Sequence, residues 1–258
     1  MAIVLLSSVA SIRRYAYEIF SKLHLILGAI VIAAIYLHSP SKELSTPPAV
    51  YLFAAICLQI FIAVLRFGQV LYRNVKYGKP LNRARIRQIA IKTPYGREIP
   101  VPDAVHVHIQ LSRPWKPRAG QYVYLCIPGV SYTSFTQSHP FYVSWWYRDA
   151  EGNNVMVLII QKRSGFTGSL FLHANNDLVH NSEMRAVIEG PYGNELNLES
   201  YGTVLLFATG IGIAGQLPYV TQLLEGCHNC EVKTRRIALF WELDSERKLS
   251  HTSMGMTC

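Results

Sequence analysis

The chain has 258 residues, enough for one or two domains, and it is 50% hydrophobic but only 16% charged, a balance that argues against a purely soluble protein. Its net charge of +9 would suit nucleic acid, but the basic residues that directly follow an apolar segment are better placed for anionic lipid headgroups. These residues are Arg66, Arg73, Lys76, Lys79, Arg83, Arg85 and Arg87, and we expect membrane lipid as a partner and no nucleic acid.

Two apolar segments predict a membrane α-helical hairpin within a transmembrane region at residues 1–80. Residues 19–37 reach the length of about 20 residues that a helix needs to cross ~30 Å of hydrocarbon. We predict helices over about 13–38 and 48–72, joined by a short polar connection. Because basic residues flank the outer ends of both helices and few lie in the connection, the positive-inside rule predicts that everything after the second helix is cytosolic.

Short β-branched and aromatic segments, separated by Pro, Gly, Asn and Asp, occupy residues 82–195. Strands at this spacing predict an antiparallel β-barrel or a sandwich. The predicted strands are 105–111, 121–127, 141–146, 155–161 and 185–189. This region is therefore expected to form a β domain of its own.

The pattern changes again at residues 200–258. An apolar strand at 203–208, a glycine turn, a helix over roughly 214–225 and a strand at 236–242 are typical of the opening βαβ unit of a parallel nucleotide-binding sheet. Two strands do not complete such a domain, so we predict an incomplete α/β domain. Residues 250–258 are interpreted as an unrelated tail.

The cysteines have no framework of paired spacings like that of a small disulfide-rich domain. Cys227 and Cys230 have the spacing of half a zinc site, but no second pair of ligands follows them. We therefore interpret these two residues as reduced thiols in a surface turn.

His24 and His38 lie fourteen residues apart in the first apolar segment. On a helix of 100° per residue they lie within about 40° of the same face, separated by ~21 Å along the axis. A histidine inside a membrane helix is a candidate functional residue, and imidazole is a common haem ligand. The alternative is that each histidine only lies near a membrane interface, where water can solvate it.

Two segments of the β region could hold a flavin nucleotide. In residues 137–144 a proline precedes an extended stretch from which Phe141 and Ser144 could face a planar ring, although strand aromatics are usually part of a core. Residues 162–168 form a glycine-containing turn before a predicted helix at 169–175. Its free N–H groups, the helix dipole and two cations could bind phosphate; a plain capped turn is the alternative.

A glycine-rich turn at residues 208–218 joins the apolar strand to the helix that follows it, which is the context that a phosphate-binding loop requires. Gly210 and Gly212 permit close approach of the backbone to a pyrophosphate, and Gly215 lets the helix pack against the sheet. Two glycines at this spacing are weak evidence on their own, but the strand and helix around them favour a dinucleotide site.

Taken in order, these segments resemble the ferric reductase / NADPH oxidase flavocytochrome family, and its fungal-type ferric-chelate reductases in particular. The resemblance covers roughly residues 13–245. It implies a ferredoxin-reductase-like FAD barrel at 82–195, followed by the start of a Rossmann-like NADPH domain. It also implies haem b, which two helices of the family clamp with two histidines each. This chain has one such helix, so His24 and His38 would each supply one axial ligand, and a full-length relative or a second copy would complete the ligation.

The resemblance also implies which residues bind the cofactors. For FAD they are His139, Pro140, Phe141, Tyr142, Val143, Ser144, Lys162, Arg163, Gly165, Phe166 and Thr167. For NADPH they are Thr209, Gly210, Gly212, Ile213, Ala214 and Gly215, preceded by Gly190, Pro191, Tyr192 and Gly193. The family usually has a small hydroxyl residue where Tyr142 stands.

The first functional hypothesis is electron transfer from NADPH through FAD and haem, across the plasma membrane, to external ferric chelates. The protein positions and tunes the cofactors, so no side chain is assigned as catalytic. The second hypothesis has the same architecture but reduces dioxygen to superoxide. The third is a truncated, non-catalytic membrane flavoprotein. It is motivated by the lack of a counterpart to the family's second histidine helix, later Cys-Gly-Pro segment and C-terminal aromatic residue, which predicts truncation at both ends.

Overall fold

The computed structural model describes residues 17–38, 46–92, 98–132, 134–175, 183–242 and 251–257. The chain divides into two compact units, Met1–Gly68 and Gln69–Cys258. The first unit contains helix α1 (Tyr17–His38) and most of helix α2 (Pro47–Asn74). The second contains the last turn of α2 and two β-sheets.

Both predicted helices are present, although the predicted start of the first, at about residue 13, lies outside the described residues. Helix α2 begins at Pro47, whose fixed φ suits the first helical turn and whose missing N–H would have no partner there in any case. By length and composition Ala49–Asn74 could cross a membrane, whereas the apolar part of α1, Leu23–His38, is shorter. Large hydrophobic side chains on both helices are exposed, as Leu25 is at 74%.

A seven-stranded antiparallel sheet forms the body of the second unit. Its strands are β1 (Arg83–Lys92), β2 (Glu98–Gln110), β3 (Tyr122–Cys126), β4 (His139–Arg148), β5 (Asn154–Gln161), β6 (Glu183–Arg185) and β7 (Val187–Tyr192). They are ordered β6-β1-β2-β5-β4-β3-β7. Alternate residues point into the core, as Val105, Val107 and Ile109 do on β2. Helix α3 (Phe166–Ala174) adds Phe166 and Leu170 to the same core, and the predicted antiparallel β domain is confirmed.

Four of the five predicted strands are present. The fifth, 185–189, falls across β6 and β7, which are separated at Ala186 and lie at opposite edges of the sheet. The sequence pattern does not predict β1. The arginines of β1 alternate with buried Ala84 and Ile86, so they form the outer face of a strand whose inner face lies in the core. The sequence places Arg83 and Arg85 in a basic segment expected to face lipid. In the structure both bind the carboxylate of Glu183 on the neighbouring strand β6.

The second sheet has three strands, β8 (Thr203–Thr209), β9 (Arg236–Glu242) and β10 (His251–Thr257). Strands β8 and β9 are parallel, and helix α4 (Ile213–His228), which joins them, packs on the sheet through Tyr219 and Leu223. This arrangement is the predicted βαβ unit. The interpretation of residues 250–258 as an unrelated tail is wrong, because β10 pairs antiparallel with β9 along its whole length.

The prediction of two reduced thiols at the end of α4 is wrong for one of them. Cys227 is disulfide-bonded, whereas Cys230 is free and exposed. Disulfide formation depends on the distance and direction of two Cβ atoms in the folded chain, and the spacing of cysteines in the sequence does not report either.

A buried polar network joins the end of α2 to the first sheet. The side-chain amide of Asn74 donates to the carbonyl of Ile188 (2.7 Å) and accepts from its N–H (2.8 Å), as a neighbouring strand would. Asn82 Nδ2 donates to Asn74 Oδ1 (2.8 Å), and the Ser112 hydroxyl lies within 2.9 Å of the Asn74 carbonyl and 2.7 Å of Asn82 Oδ1. Asn74, Asn82 and Ser112 are all buried. Because β7 is an edge strand, the Asn74 side chain satisfies backbone groups of Ile188 that the sheet leaves unpaired.

Candidate functional site

The two segments with the predicted flavin residues lie together in the first sheet. The ring of His139 stacks on that of Phe166 with centroids 4.9 Å apart, and Phe141 lies nearly parallel to Phe166 at 6.5 Å. Phe166 is buried and is the first residue of α3. The start of β4 and the start of α3 therefore share one aromatic group.

The rest of the predicted β4 segment divides between core and surface. Val143 and Ser144 are fully buried. Ser144 occupies a bulge in the pairing of β4 with β5, and its hydroxyl accepts a hydrogen bond from the N–H of Ile159 at 3.3 Å. That hydroxyl therefore stabilises the pairing of β4 with β5. Pro140 and Tyr142 point the other way and are exposed.

The turn before α3 has the chemistry of an anion site. Lys162 and Arg163 are exposed, with the Lys162 ammonium 4.5 Å from the centre of the Phe171 ring. The Thr167 hydroxyl accepts a hydrogen bond from the N–H of Arg163 at 2.9 Å. Gly165 has φ 77°, a conformation that favours glycine, and α3 begins directly after it. Two exposed basic residues thus directly precede the positive end of a nine-residue helix in the chain, a composition that suits a pyrophosphate.

Tyrosines gather where β3, β4 and β7 lie side by side. Tyr192 donates a hydrogen bond from Oη to Glu189 Oε1 at 2.6 Å. Its ring lies 5.7 Å from Tyr122 and 5.6 Å from Tyr124, and Tyr122 lies 6.2 Å from Tyr142. The other predicted residues of this segment, Gly190, Pro191 and Gly193, lie at the end of β7 and just after it.

The predicted dinucleotide turn begins where β8 ends, at Thr209. Residues 210–212 form a short 3-10 turn, and the indole N–H of Trp241 donates to the carbonyl of Gly210 at 2.9 Å. A Cβ on Gly212 would meet no atom within 4 Å, so the backbone faces open space there. Helix α4 follows directly, with its first residues, Ile213 and Ala214, buried.

Tyr142, on strand β4 with the predicted flavin residues, contacts the helix that follows this turn. A Cβ placed on Gly215 would lie 3.5 Å from Cγ and Cδ2 of Tyr142, so the tyrosine ring rests against the first turn of α4. The two predicted nucleotide sites therefore adjoin each other within the unit Gln69–Cys258.

One group of residues is missed by the sequence reasoning. His106 and His108 on β2 make edge-to-face contacts with Trp145 and Tyr147 on β4, at centroid distances of 5.0 and 6.1 Å. Burial lowers the pKa of His106, and burial with the nearby arginines of β1 lowers the pKa of His108 to about 4. The side chains of His108 and Tyr147 line a cavity of about 540 Å³. The sequence signal that could have identified this group is the pair of histidines at alternate positions of one predicted strand.

Helix α1 contains both predicted haem ligands. It runs without a break from Tyr17 to His38, so His24 and His38 have the helical separation predicted above. His38 Nδ1 lies 2.9 Å from the carbonyl oxygen of Ala34. Within the described part of the chain, no group of three or more His, Cys, Asp or Glu side chains could hold a metal ion. Haem ligation stays a prediction.

Comparison with known proteins supports the assignment of the first sheet. Residues 99–196 match the model of a FAD-binding domain. The chain is 29% identical over 217 residues to the ferric/cupric reductase transmembrane component 2 of Saccharomyces cerevisiae, covering 84% of this chain and 27% of that protein. It is 27% identical over 256 residues to the probable cell surface ferric reductase kap2 of Aspergillus oryzae, covering 95% and 31%.

The chain therefore spans about a third or less of the length of these relatives. Among solved structures, a ferredoxin reductase in carbazole 1,9a-dioxygenase matches 65% of this chain and 44% of its own at 13% identity, with a TM-score of 0.45.

Proposed function

We propose that this chain, which is related to the fungal ferric reductases and contains a FAD-binding domain, is the flavin-bearing part of a ferric-chelate reductase. Electrons would pass from NADPH through FAD, and through haem b in the membrane, to ferric chelates outside the cell. Bound FAD supplies the conversion of two-electron to one-electron chemistry. The chain's own residues bind and align the cofactors.

The contact of Tyr142 with Gly215 is the observation that carries this proposal. A hydride donor and its acceptor must approach to about 3–3.5 Å before they react. A strand of the FAD-binding domain and the helix that follows a glycine turn lie in contact here through Tyr142, so cofactors held on the two elements would lie near each other.

The residues present fit FAD. Lys162, Arg163 and the positive end of α3 would bind the pyrophosphate, because two exposed basic residues directly precede a helix N-terminus with free N–H groups. Phe141 on β4 is only partly buried and packs against the core beside Phe166, so the exposed part of its ring could contact the flavin.

The fit to NADPH rests on the turn at residues 210–212. Its backbone faces open space at Gly212, and α4 begins directly after it with its positive end towards that space. A phosphate could approach the backbone N–H groups at this position without meeting a side chain.

We place the first unit in the plasma membrane, with the FAD and NADPH domains in the cytosol. The length and composition of α2 and the exposed apolar side chains of both helices support this placement, because such a surface is unfavourable in water. His24 and His38 would each give a haem one axial ligand. The second ligands would come from a full-length relative or another copy of the chain.

The test uses the full chain purified in detergent. We expect flavin absorbance, and NADPH-dependent formation of a coloured ferrous chelate that exceeds superoxide release. Superoxide as the main product would favour an oxidase instead. Absence of both flavin and ferric reduction would refute the proposal.

The substitution Gly212→Ala sharpens this test, because the added methyl group enters open space and should leave the fold intact. If the backbone there contacts a phosphate, the KM for NADPH should rise about tenfold or more through the loss of one charged hydrogen bond. Gly202→Ala is the matched control, since its Cβ also meets no atom within 4 Å. Equal KM values in the two variants would exclude the turn as the NADPH site.

A further inference from the structure

A cavity in the unit Gln69–Cys258 is lined by cations and aromatic rings. Its volume is about 340 Å³, and its walls include Trp115, Lys116, Trp146 and Arg148. Among the described residues no aspartate or glutamate lines it, whereas three carboxylates line the larger cavity beside His108. Within the same part of the chain, neither Lys116 nor Arg148 forms an ion pair. Two positive charges therefore line one cavity without a carboxylate to neutralise them.

The last turn of α2 contacts the wall of this cavity. The guanidinium of Arg73 lies 5.3 Å from the centre of the Trp115 ring. Two residues before Trp115, in the same loop between β2 and β3, Arg113 donates from Nε to the carbonyl of Tyr72 at 2.8 Å. Its guanidinium also lies 3.9 Å from the centre of the Tyr72 ring. The cavity therefore adjoins the end of the helix that the proposed function places in the membrane.

The position of Arg73 along α2 corresponds to the headgroup layer of a bilayer. A helix needs about 20 residues to cross ~30 Å of hydrocarbon, a length that α2 completes between Ala49 and Gly68. Arg73 lies about 7–8 Å further along the axis, at a rise of 1.5 Å per residue, and the headgroup layer is roughly 5–8 Å deep. Tryptophan is enriched at this level because its ring is apolar and its N–H is polar. The cavity at Trp115 would thus lie level with the phospholipid phosphates.

We propose that this cavity binds the headgroup of an anionic phospholipid, with the phosphate held by Lys116 and Arg148. This inference rests on the proposed function, which supplies the membrane placement. The indole rings of Trp115 and Trp146 provide apolar walls, and a cavity of this size with a few charged groups is typical of small-ligand sites. The phosphate and carboxylate of phosphatidylserine match the two cations in charge. Neither cation belongs to the basic segment after α2 that the sequence assigns to lipid.

The test uses the full chain in detergent micelles that contain phosphatidylserine or phosphatidylcholine with brominated acyl chains. Bromine quenches tryptophan fluorescence only at short range, so a lipid bound beside Trp115 and Trp146 lowers the emission. We expect phosphatidylserine to bind more tightly than phosphatidylcholine. In Lys116→Gln and in Arg148→Gln this preference should fall about fivefold, the factor that one cation contributes near an anionic membrane surface.

Lys233→Gln is the matched control, because it removes an exposed lysine elsewhere in the same unit and should leave the preference unchanged. Inorganic phosphate, added at constant ionic strength, separates a lipid from a soluble ligand. We expect it to leave the quenching by phosphatidylserine in place. If it restores the emission at concentrations similar to those at which the lipid acts, the ligand is a soluble phosphate compound and the lipid assignment is overturned.

Equal quenching by the two lipids would overturn this inference, and so would a preference for phosphatidylserine that survives in both variants. Flavin absorbance and ferric reduction are measured on the same samples. If both are present while the lipid preference is absent, the proposed function stands without the lipid site. If both are absent while the preference is present and sensitive to Lys116→Gln, the reductase proposal fails and the lipid site stands.

Discussion

Replacing Asn74 with alanine should destabilise the unit Gln69–Cys258 strongly. The substitution removes the partner of three buried groups, the N–H and the carbonyl of Ile188 and the amide of Asn82. A buried polar group left without a partner costs about 1–3 kcal/mol, and water entering the vacated space offsets part of the sum. We expect the free energy of unfolding to fall by about 3–6 kcal/mol, a large part of the 5–15 kcal/mol typical of a domain.

Urea unfolding of the full chain in detergent, followed by tryptophan fluorescence, measures this loss. The four tryptophans all lie in the unit concerned, so the signal reports on it alone. Asn197→Ala is the control, because this asparagine is exposed and makes no capping hydrogen bond through its side chain. The reasoning is refuted if Asn74→Ala costs no more than Asn197→Ala. Adding Asn82→Ala to Asn74→Ala should cost less than Asn82→Ala alone, because the two residues share a hydrogen bond.

Two further predictions concern stability. The pKa of His108, about 4, lies below its ordinary value of 6.5, so the unfolded chain binds this proton more readily; stability present above pH 6.5 is lost as the pH falls towards 4. For a half-buried ring, solvent screening reduces the loss to about 1–2 kcal/mol. His108→Gln should remove this part of the pH dependence and exposed His228→Gln should not; equal slopes would contradict the assignment. Gly120→Ala should cost about 2–4 kcal/mol in urea unfolding, because φ is 79° and the new methyl group would collide with Tyr219. Gly152→Ala, with the same φ but open space, should show only the backbone part, and equal costs would exclude the collision.

Much of the β domain could be predicted because several of its strands alternate between core and surface. The stretch at 105–111 shows this clearly, since Val105, Val107 and Ile109 are apolar and buried while the residues between them are polar. Strand β1 could not be recognised in the sequence, because its alternation is masked by charge. Its outward positions are arginines that directly follow a long basic run, so charge outweighed the alternation of Ala84 and Ile86 beneath it.

The segments that form the candidate site could be predicted from the sequence, but their arrangement in space could not. Local signals identified the residues around Phe141, the turn near Gly165 and the turn at 210–212, because proline, glycine and flanking elements act over a few residues. Which side chains meet depends on strand register and on the packing of α4. The bulge that buries Ser144 and the contact of Tyr142 with Gly215 come from that tertiary level, which no window of sequence contains.

Edge strands invite other chains to add to a sheet, and β7 is an edge strand. At Ile188 an incoming strand would find both backbone groups already taken by the amide of Asn74. The end of α2 therefore protects the sheet against aggregation as well as stabilising it. A fragment cut at residue 82 would lack this protection, and such a fragment should self-associate where the longer chain does not.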